Sequence, residues 1–238
     1  MNEIENLSWR NIESSLDTYG NAVLPGLLSA DQCDALTSLY SQESNFRKRV
    51  VMAKHGFGLG EYKYFSYPLP ALLEQLRHAL FRNLVPIANR WNQQMGLPVL
   101  FPPELSEYLE TCHESGQLQP TPLILRYKES HYNCLHQDLY GDLIFPLQTA
   151  ILLSDPGTDF LGGEFVMTEN SANRQRAEVI SLNKGDAVIF TVKHRPVSAQ
   201  RRTRHKTAFF KKVAMRHGVS RILRGQRYAI GLIFHDAK

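Results

Sequence analysis

Apolar positions along the chain follow two different rhythms. In the first part, Leu73, Leu76, Leu80, Leu84 and Ile87 recur at three and four residues, the spacing of one helix face. Pro70 suits the first turn of that helix and Gly96 its stop, and Pro86 is a candidate kink. Earlier, Ser29 can cap a helix with Asp31 in its first turn, running through Cys33, Leu36, Leu39 and Tyr40. A short helix is expected after Pro103, ending before Gly116. From Leu123 the rhythm shortens. LILRYK, FPLQTAILLS, GEFVM, AEVISL, DAVIFTV and YAIGLIF read as strands, separated by turn signals such as DPGTD, NKGD and RGQ. Many short strands without intervening helices predict a sandwich or barrel rather than a doubly wound sheet. The expected fold is α+β, a double-stranded β-helix (jelly-roll) core with N-terminal helices packed against it. One domain over 1–238 is expected, with 1–120 as mainly helical support and 121–238 as the catalytic core.

Composition narrows the class. A hydrophobic fraction of 43% in 238 residues supports a sizeable core. No run of about 18 apolar residues occurs, so no membrane span is expected. The polar, acidic start lacks a basic and an apolar leader region, so a cytoplasmic location is expected. The cysteines Cys33, Cys112 and Cys134 are odd in number and form no CxxC pair, which argues against a disulfide framework or a cysteine zinc site and for buried thiols. Between Asp186 and Asp236 there is no acidic residue, yet 12 of the 27 Lys and Arg lie there. The remainder carries 15 basic against 23 acidic side chains. A basic stretch on an acidic body suggests a polyanionic partner, with a solvated face plus cofactor-binding cations as the alternative.

The candidate chemistry begins at His136-Gln137-Asp138. On a strand, residues i and i+2 share a face, so an imidazole and a carboxylate can grip one ion. A second histidine from a distant strand would complete a two-His, one-carboxylate facial triad, which leaves open positions on iron for a chelating cosubstrate and O2. His217 is the candidate, because Arg227 follows ten residues later at the head of an apolar strand. An arginine there can hold a carboxylate through a bidentate pair. His194 competes, with Arg204 ten residues on, but no long apolar strand follows directly. His235, past the final strand, reads as structural, and His131 as a second-layer or loop residue.

HxD, then GGEF (162–165), then NKGDAVIF (183–190), then His217 with Arg227 resembles the Fe(II)/2-oxoglutarate dioxygenases over residues 123–236. The resemblance implies His136, Asp138 and His217 as metal ligands, Arg227 and Tyr127 as the 2-oxoglutarate site, and Fe(II), 2-oxoglutarate and O2 as cofactor and cosubstrates. LILRYKESHYNCLHQD further resembles the AlkB-type DNA-alkylation repair enzymes, with departures at Leu125 and Ile233, where they carry asparagine and a second arginine. The His217 to Arg227 spacing fits the prolyl-hydroxylase-like branch. The whole pattern, with FGLGEYKYFSYPLP upstream and IFHDA at the end, resembles a bacterial oxygenase group predicted to act on damaged DNA.

Oxidative demethylation of alkylated nucleic-acid bases is therefore the leading expectation. It calls for cations for phosphates and aromatics for an extruded base. Residues 46–67 interleave Arg47, Lys48, Arg49, Lys54 and Lys63 with Phe57, Tyr62, Tyr64, Phe65 and Tyr67 around Gly56, Gly58 and Gly60, a candidate substrate flap or a helix–sheet junction. Arg49, Lys54, Tyr62, Lys63 and Tyr64 are its candidate substrate contacts. A second basic run holds Arg201, Arg202, Arg204, Lys206, Lys211 and Lys212. Protein side-chain hydroxylation of the prolyl type is the alternative, and a non-catalytic module that kept the fold is a third. DNA, RNA, protein and small molecules all remain open as substrate.

Overall fold

The computed structural model describes residues 2–171, 174–200 and 208–238. Five helices and fourteen strands are seen there, with short 3-10 turns between some of them. The first part holds α1 (Asn2–Glu5), α2 (Trp9–Tyr19), β1 (Asn21–Leu24), α3 (Ala30–Ser38), β2 (Phe46–Val51), β3 (Gly58–Leu59), β4 (Glu61–Phe65), α4 (Ala71–Gln94) and α5 (Leu105–Glu114). The second part holds β5 (Leu123–Lys128), β6 (Tyr132–His136), β7 (Leu147–Leu152), β8 (Phe160–Gly162), β9 (Phe165–Ser171), β10 (Arg174–Ile180), β11 (Ala187–Thr191), β12 (His194–Gln200), β13 (Ala208–Val219) and β14 (Ile222–Leu232).

The helices follow their sequence signals. Ser29 caps α3 through a capping box, its hydroxyl accepting the Gln32 amide while Gln32 Oε1 accepts the Ser29 amide. In α4, Leu73, Leu76, Leu80, Leu84 and Ile87 are all buried, and the helix runs through Pro86. Gly96 ends that segment at φ 66°, a backbone state that favours glycine.

The strands form two antiparallel sheets. One runs β1-β11-β7-β14-β5-β4-β2, with β8 on β14; the other runs β10-β9-β13-β6-β3, with β12 on β13. Side chains of the first sheet alternate between two cores. Leu147, Ile151, Ala187, Ile189, Ile230 and Leu232 join residues of the helices in one buried cluster. Leu152, Val188, Phe190, Leu123 and Tyr127 point the other way, with Phe165, Met167, Met215 and Val219 of the second sheet. The helices thus back one face of the first sheet, and the site lies between the sheets.

The N-terminal part is less helical than its sequence suggested. β1, β2 and β4 extend the first sheet and β3 extends the second. In β4, Glu-Tyr-Lys-Tyr-Phe, polar and aromatic residues alternate, yet all five are buried, unlike a half-exposed strand whose polar face meets water.

A buried polar knot ties α4 to the end of the chain. Arg77 is fully buried; its Nε donates to the Ile233 carbonyl at 2.8 Å, and its Nη2 meets Asp236 at 2.9 Å. Tyr67 and His113 complete the Asp236 carboxylate, at 3.0 and 2.9 Å. Gln117, also fully buried, donates to the Tyr140, Leu143 and Asp236 carbonyls and accepts the Asp142 and Leu143 amides. These bonds anchor the segment that follows β14, the strand that carries Arg227.

Candidate metal centre and its cavity

His136 and His217 are directly opposed residues of β6 and β13, so their rings meet at 4.3 Å between centroids, as a cross-strand pair should. The strands approach closely here because residue 218 is glycine: a Cβ would stand 2.7 Å from the Asn133 carbonyl oxygen. Asp138 lies just past β6, in a loop rather than on the strand face that the His-x-Asp spacing predicted. It still reaches both rings, with His136 Nε2 3.3 Å from Oδ1 and His217 Nε2 3.3 Å from Oδ2. One donor atom from each of the three lies within 4.8 Å of the others, the spacing of a site able to hold a metal ion.

The surroundings prepare those atoms. His136 Nδ1 bonds the Cys134 carbonyl at 2.8 Å, which places a proton on that nitrogen and turns Nε2 toward Asp138. Phe165 stacks on the His217 ring and Phe190 packs 4.5 Å from it. Burial raises the Asp138 carboxyl, but hydrogen bonds from His136 and His217 hold it well below the usual carboxylate range. For His136, burial is outweighed by Asp138, and the ring's pKa rises. For His217, burial and the charge of His136 win, and it falls. Sequence reasoning did not single out Tyr140, whose hydroxyl donates to Asp138 Oδ1 at 2.8 Å; its place two residues after the aspartate was the available signal.

The cluster opens on a cavity of about 280 Å³ between the sheets. Arg227 and Tyr127, cross-strand partners on β14 and β5, line it and are 3% and 0% exposed. Arg227 makes no ion pair among the described residues, and its Nε and the Tyr127 hydroxyl have no partner there. Asn133, Gln148 and His217 also line the cavity, and Asn133 Oδ1, Gln148 Nε2 and His217 Nδ1 have no partner among the described residues. Burial lowers the Arg227 pKa against the opposing pull of Tyr127 and Glu164. A buried, unpaired guanidinium is costly, so this end of the cavity is built for an anion. An iron ion on the three ligands and a dicarboxylate on Arg227 suit these donors.

Residues 60–237 match the family Oxygenase-NA, whose description reads "Oxygenase, catalysing oxidative methylation of damaged DNA". The chain belongs to this family. The uncharacterized Mycobacterium tuberculosis protein Rv2227 is similar to this Oxygenase-NA chain, 43% identical over 197 residues, covering 80% of this chain and 82% of its own. The fold is that of the 2-oxoglutarate-Fe(II) oxygenases. A Pseudomonas putida prolyl-4-hydroxylase superimposes with a TM-score of 0.53 at 13% identity, over 97% of this chain and 99% of its own. A Trichoplax adhaerens prolyl hydroxylase, solved with a hypoxia inducible factor oxygen degradation domain peptide, gives 0.54 at 12% identity, over 96% and 93%. No helix among the described residues is long and apolar enough to cross a membrane.

Other sequence candidates fall elsewhere in the Oxygenase-NA fold. His194 sits on β12 opposite Ala214 and is absent from the ligand cluster. His131 Nδ1 accepts the Lys128 amide in a turn. His235 is fully buried and its Nδ1 accepts the Phe145 amide. Cys33 and Cys112 are buried, but Cys134 is exposed. The segment 46–67 is a set of hydrogen-bonded strands rather than a free flap. Lys63 is 3% exposed and bonds the Tyr40 carbonyl and Glu43. Arg49 pairs with Glu61, which Arg126 also binds. These two cations are therefore committed to partners 12 and 20 residues away in sequence. Tyr62 does line the cavity, Tyr64 is buried beside it, and Lys54 is exposed next to the His55–Phe57 stack. Arg201, Arg202, Arg204 and Lys206 lie outside the described residues, while Lys211 and Lys212 are exposed on β13.

Proposed function

We propose that this chain is an Fe(II)/2-oxoglutarate oxygenase that demethylates alkylated bases in nucleic acid. The observation that carries the reading is one cavity with a His-Asp-His ligand set on its wall and an unpaired buried guanidinium facing it. His136, Asp138 and His217 would hold the iron, and Arg227 with Tyr127 would hold the far carboxylate of 2-oxoglutarate. Iron with bound 2-oxoglutarate supplies O2 activation at the cost of the keto acid. The balance is R2N–CH3 + O2 + 2-oxoglutarate → R2N–CH2OH + succinate + CO2. One oxygen atom enters the substrate and the other enters succinate. The hydroxymethyl group then leaves as formaldehyde, returning the proton to nitrogen. The protein's residues orient the two substrates, and the apolar walls Leu123, Leu125, Phe165, Phe190 and Ala229 exclude bulk water. The family description supports nucleic acid as the substrate, and so does the rim, where Phe57 is 46% exposed and stacked on His55 beside Lys54.

The second reading is hydroxylation of a protein side chain of the prolyl type. It draws on the ten-residue spacing from His217 to Arg227 and on the fold shared with prolyl hydroxylases. One experiment separates the two: mass spectrometry of a methylated single-stranded oligonucleotide incubated with protein, Fe(II), 2-oxoglutarate and ascorbate, with succinate measured alongside. Loss of the methyl mass matched by succinate is expected. Succinate formed while the oligonucleotide stays intact would overturn the nucleic-acid reading and leave the oxygenase.

A further inference from the structure

The cavity has two polar ends. On β14, Arg227 pairs with Tyr127 of β5, and Gly231 pairs with Ala150 of β7. Gln148 lies two residues further along β7, level with Ile233 and about 20 Å of strand from Arg227. It is on the same face of β7 as Ala150 and lines the cavity. Its cross-strand partner on β11 is Phe190, the ring that packs 4.5 Å from His217. Gln148 is therefore beside the ligand cluster, on the side away from Arg227.

Gln148 is 3% exposed, and its Nε2 has no partner among the described residues. The contrast with Gln117 is instructive. That equally buried amide spends Nε2 on three carbonyls and Oε1 on two amides, which is how a structural amide behaves. A buried donor left unmade costs about 1–3 kcal/mol, so an unspent one on a residue that lines a cavity is a group a ligand atom can complete. The iron and Arg227 account for 2-oxoglutarate at the other end, which leaves Gln148 for the substrate. Tyr62 and Tyr140 add flat aromatic walls to the cavity.

We propose that Gln148 is a specificity-determining residue, donating a hydrogen bond to a ring carbonyl oxygen of the substrate. On the reading above, which this inference assumes, the preferred substrates are methylated bases with a carbonyl next to the methylated nitrogen. A site that presents a buried donor discriminates strongly against analogues that lack the acceptor.

The test compares single-stranded oligonucleotides carrying N3-methylcytosine, which has such a carbonyl, with N1-methyladenine, which has none. The wild-type protein should demethylate N3-methylcytosine with at least about tenfold higher kcat/KM, one hydrogen bond to a buried group being worth that factor. Gln148→Met, of similar length and without the amide, should lose roughly 10- to 100-fold on N3-methylcytosine and less than about threefold on N1-methyladenine, with the KM for 2-oxoglutarate unchanged. Gln148→Leu repeats the measurement should the Met variant be insoluble. Equal losses on both bases, no loss, or a wild-type preference for N1-methyladenine would overturn the role of Gln148 while leaving the reaction standing. A wild type that demethylates neither base overturns both.

Discussion

Two buried polar regions lie close together in this molecule and behave in opposite ways. Around Asp236, every charge meets a partner: Arg77 bonds Asp236 and a carbonyl, and Tyr67 and His113 complete the carboxylate. Around the cavity, Arg227, Tyr127, Asn133, Gln148 and His217 each present a buried polar atom with no partner among the described residues. Folding tolerates the first arrangement because its hydrogen bonds replace those lost to water. The second keeps groups unspent, and such groups are what a ligand completes. Burial alone would not separate the two regions; the partners of the charged groups do, although His235 Nε2, beside Asp236, also lacks a partner among the described residues.

The comparison breaks most visibly if the paired region is cut. Arg77→Met leaves Asp236 buried without its cation and should cost about 3–5 kcal/mol, a drop on the order of 10 °C in Tm, read by thermal unfolding. His235 shows the same region through pH. Burial, then the charge of Arg77, pushes its pKa down to about 4 from a free value of 6.5. The folded value is depressed, so its contribution is present above about pH 6.5 and is lost as pH falls toward 4, by up to about 3 kcal/mol. His235→Phe should flatten the decline in Tm between pH 7 and 4.5; an unchanged slope would remove His235 as its cause.

The cavity should respond in function rather than stability. Arg227→Met should raise the KM for 2-oxoglutarate roughly 10- to 100-fold, the loss of one or two charged hydrogen bonds, and leave Tm equal or higher, because an unpaired charge is removed. Tyr140→Phe should weaken Co(II) binding about 10- to 100-fold, as loss of a group that orients a ligand does. Steady-state kinetics reads the first effect and isothermal titration the second, and a fall in Tm without either change would place these residues with the paired region.

The candidate ligands were legible in the sequence, and much of their setting was not. His136, Asp138, His217 and Arg227 carry their meaning in residue type and spacing, and the structure brings His136, Asp138 and His217 together with Arg227 on the same cavity. The strand that carries His217 was missed, although Val213, Met215, His217 and Val219 alternate as one buried face; with Ala214 and Gly218 beside Arg216 between them, the polar half of the period of two is faint. The cations of residues 46–67 misled for a different reason. Lys63 and Arg49 read as free charge, and only the fold shows Glu43 and Glu61 beside them. Pairing across a sheet is nonlocal, so which charges are spent and which are available is a property of the fold. Tyr140 and Gln148 belong to the same class: ordinary residues whose importance lies in what they do or do not touch.

The most direct test of the account is an anaerobic titration of Fe(II) and 2-oxoglutarate into the wild-type protein and His217→Ala, followed by the visible charge-transfer absorption of a keto acid chelated to iron. The account predicts that the band grows only when both are present, saturates at one equivalent of each, and is lost in His217→Ala, which stays folded. A wild type without the band, or a His217→Ala protein that retains it, would contradict the assignment of this cavity to iron and 2-oxoglutarate.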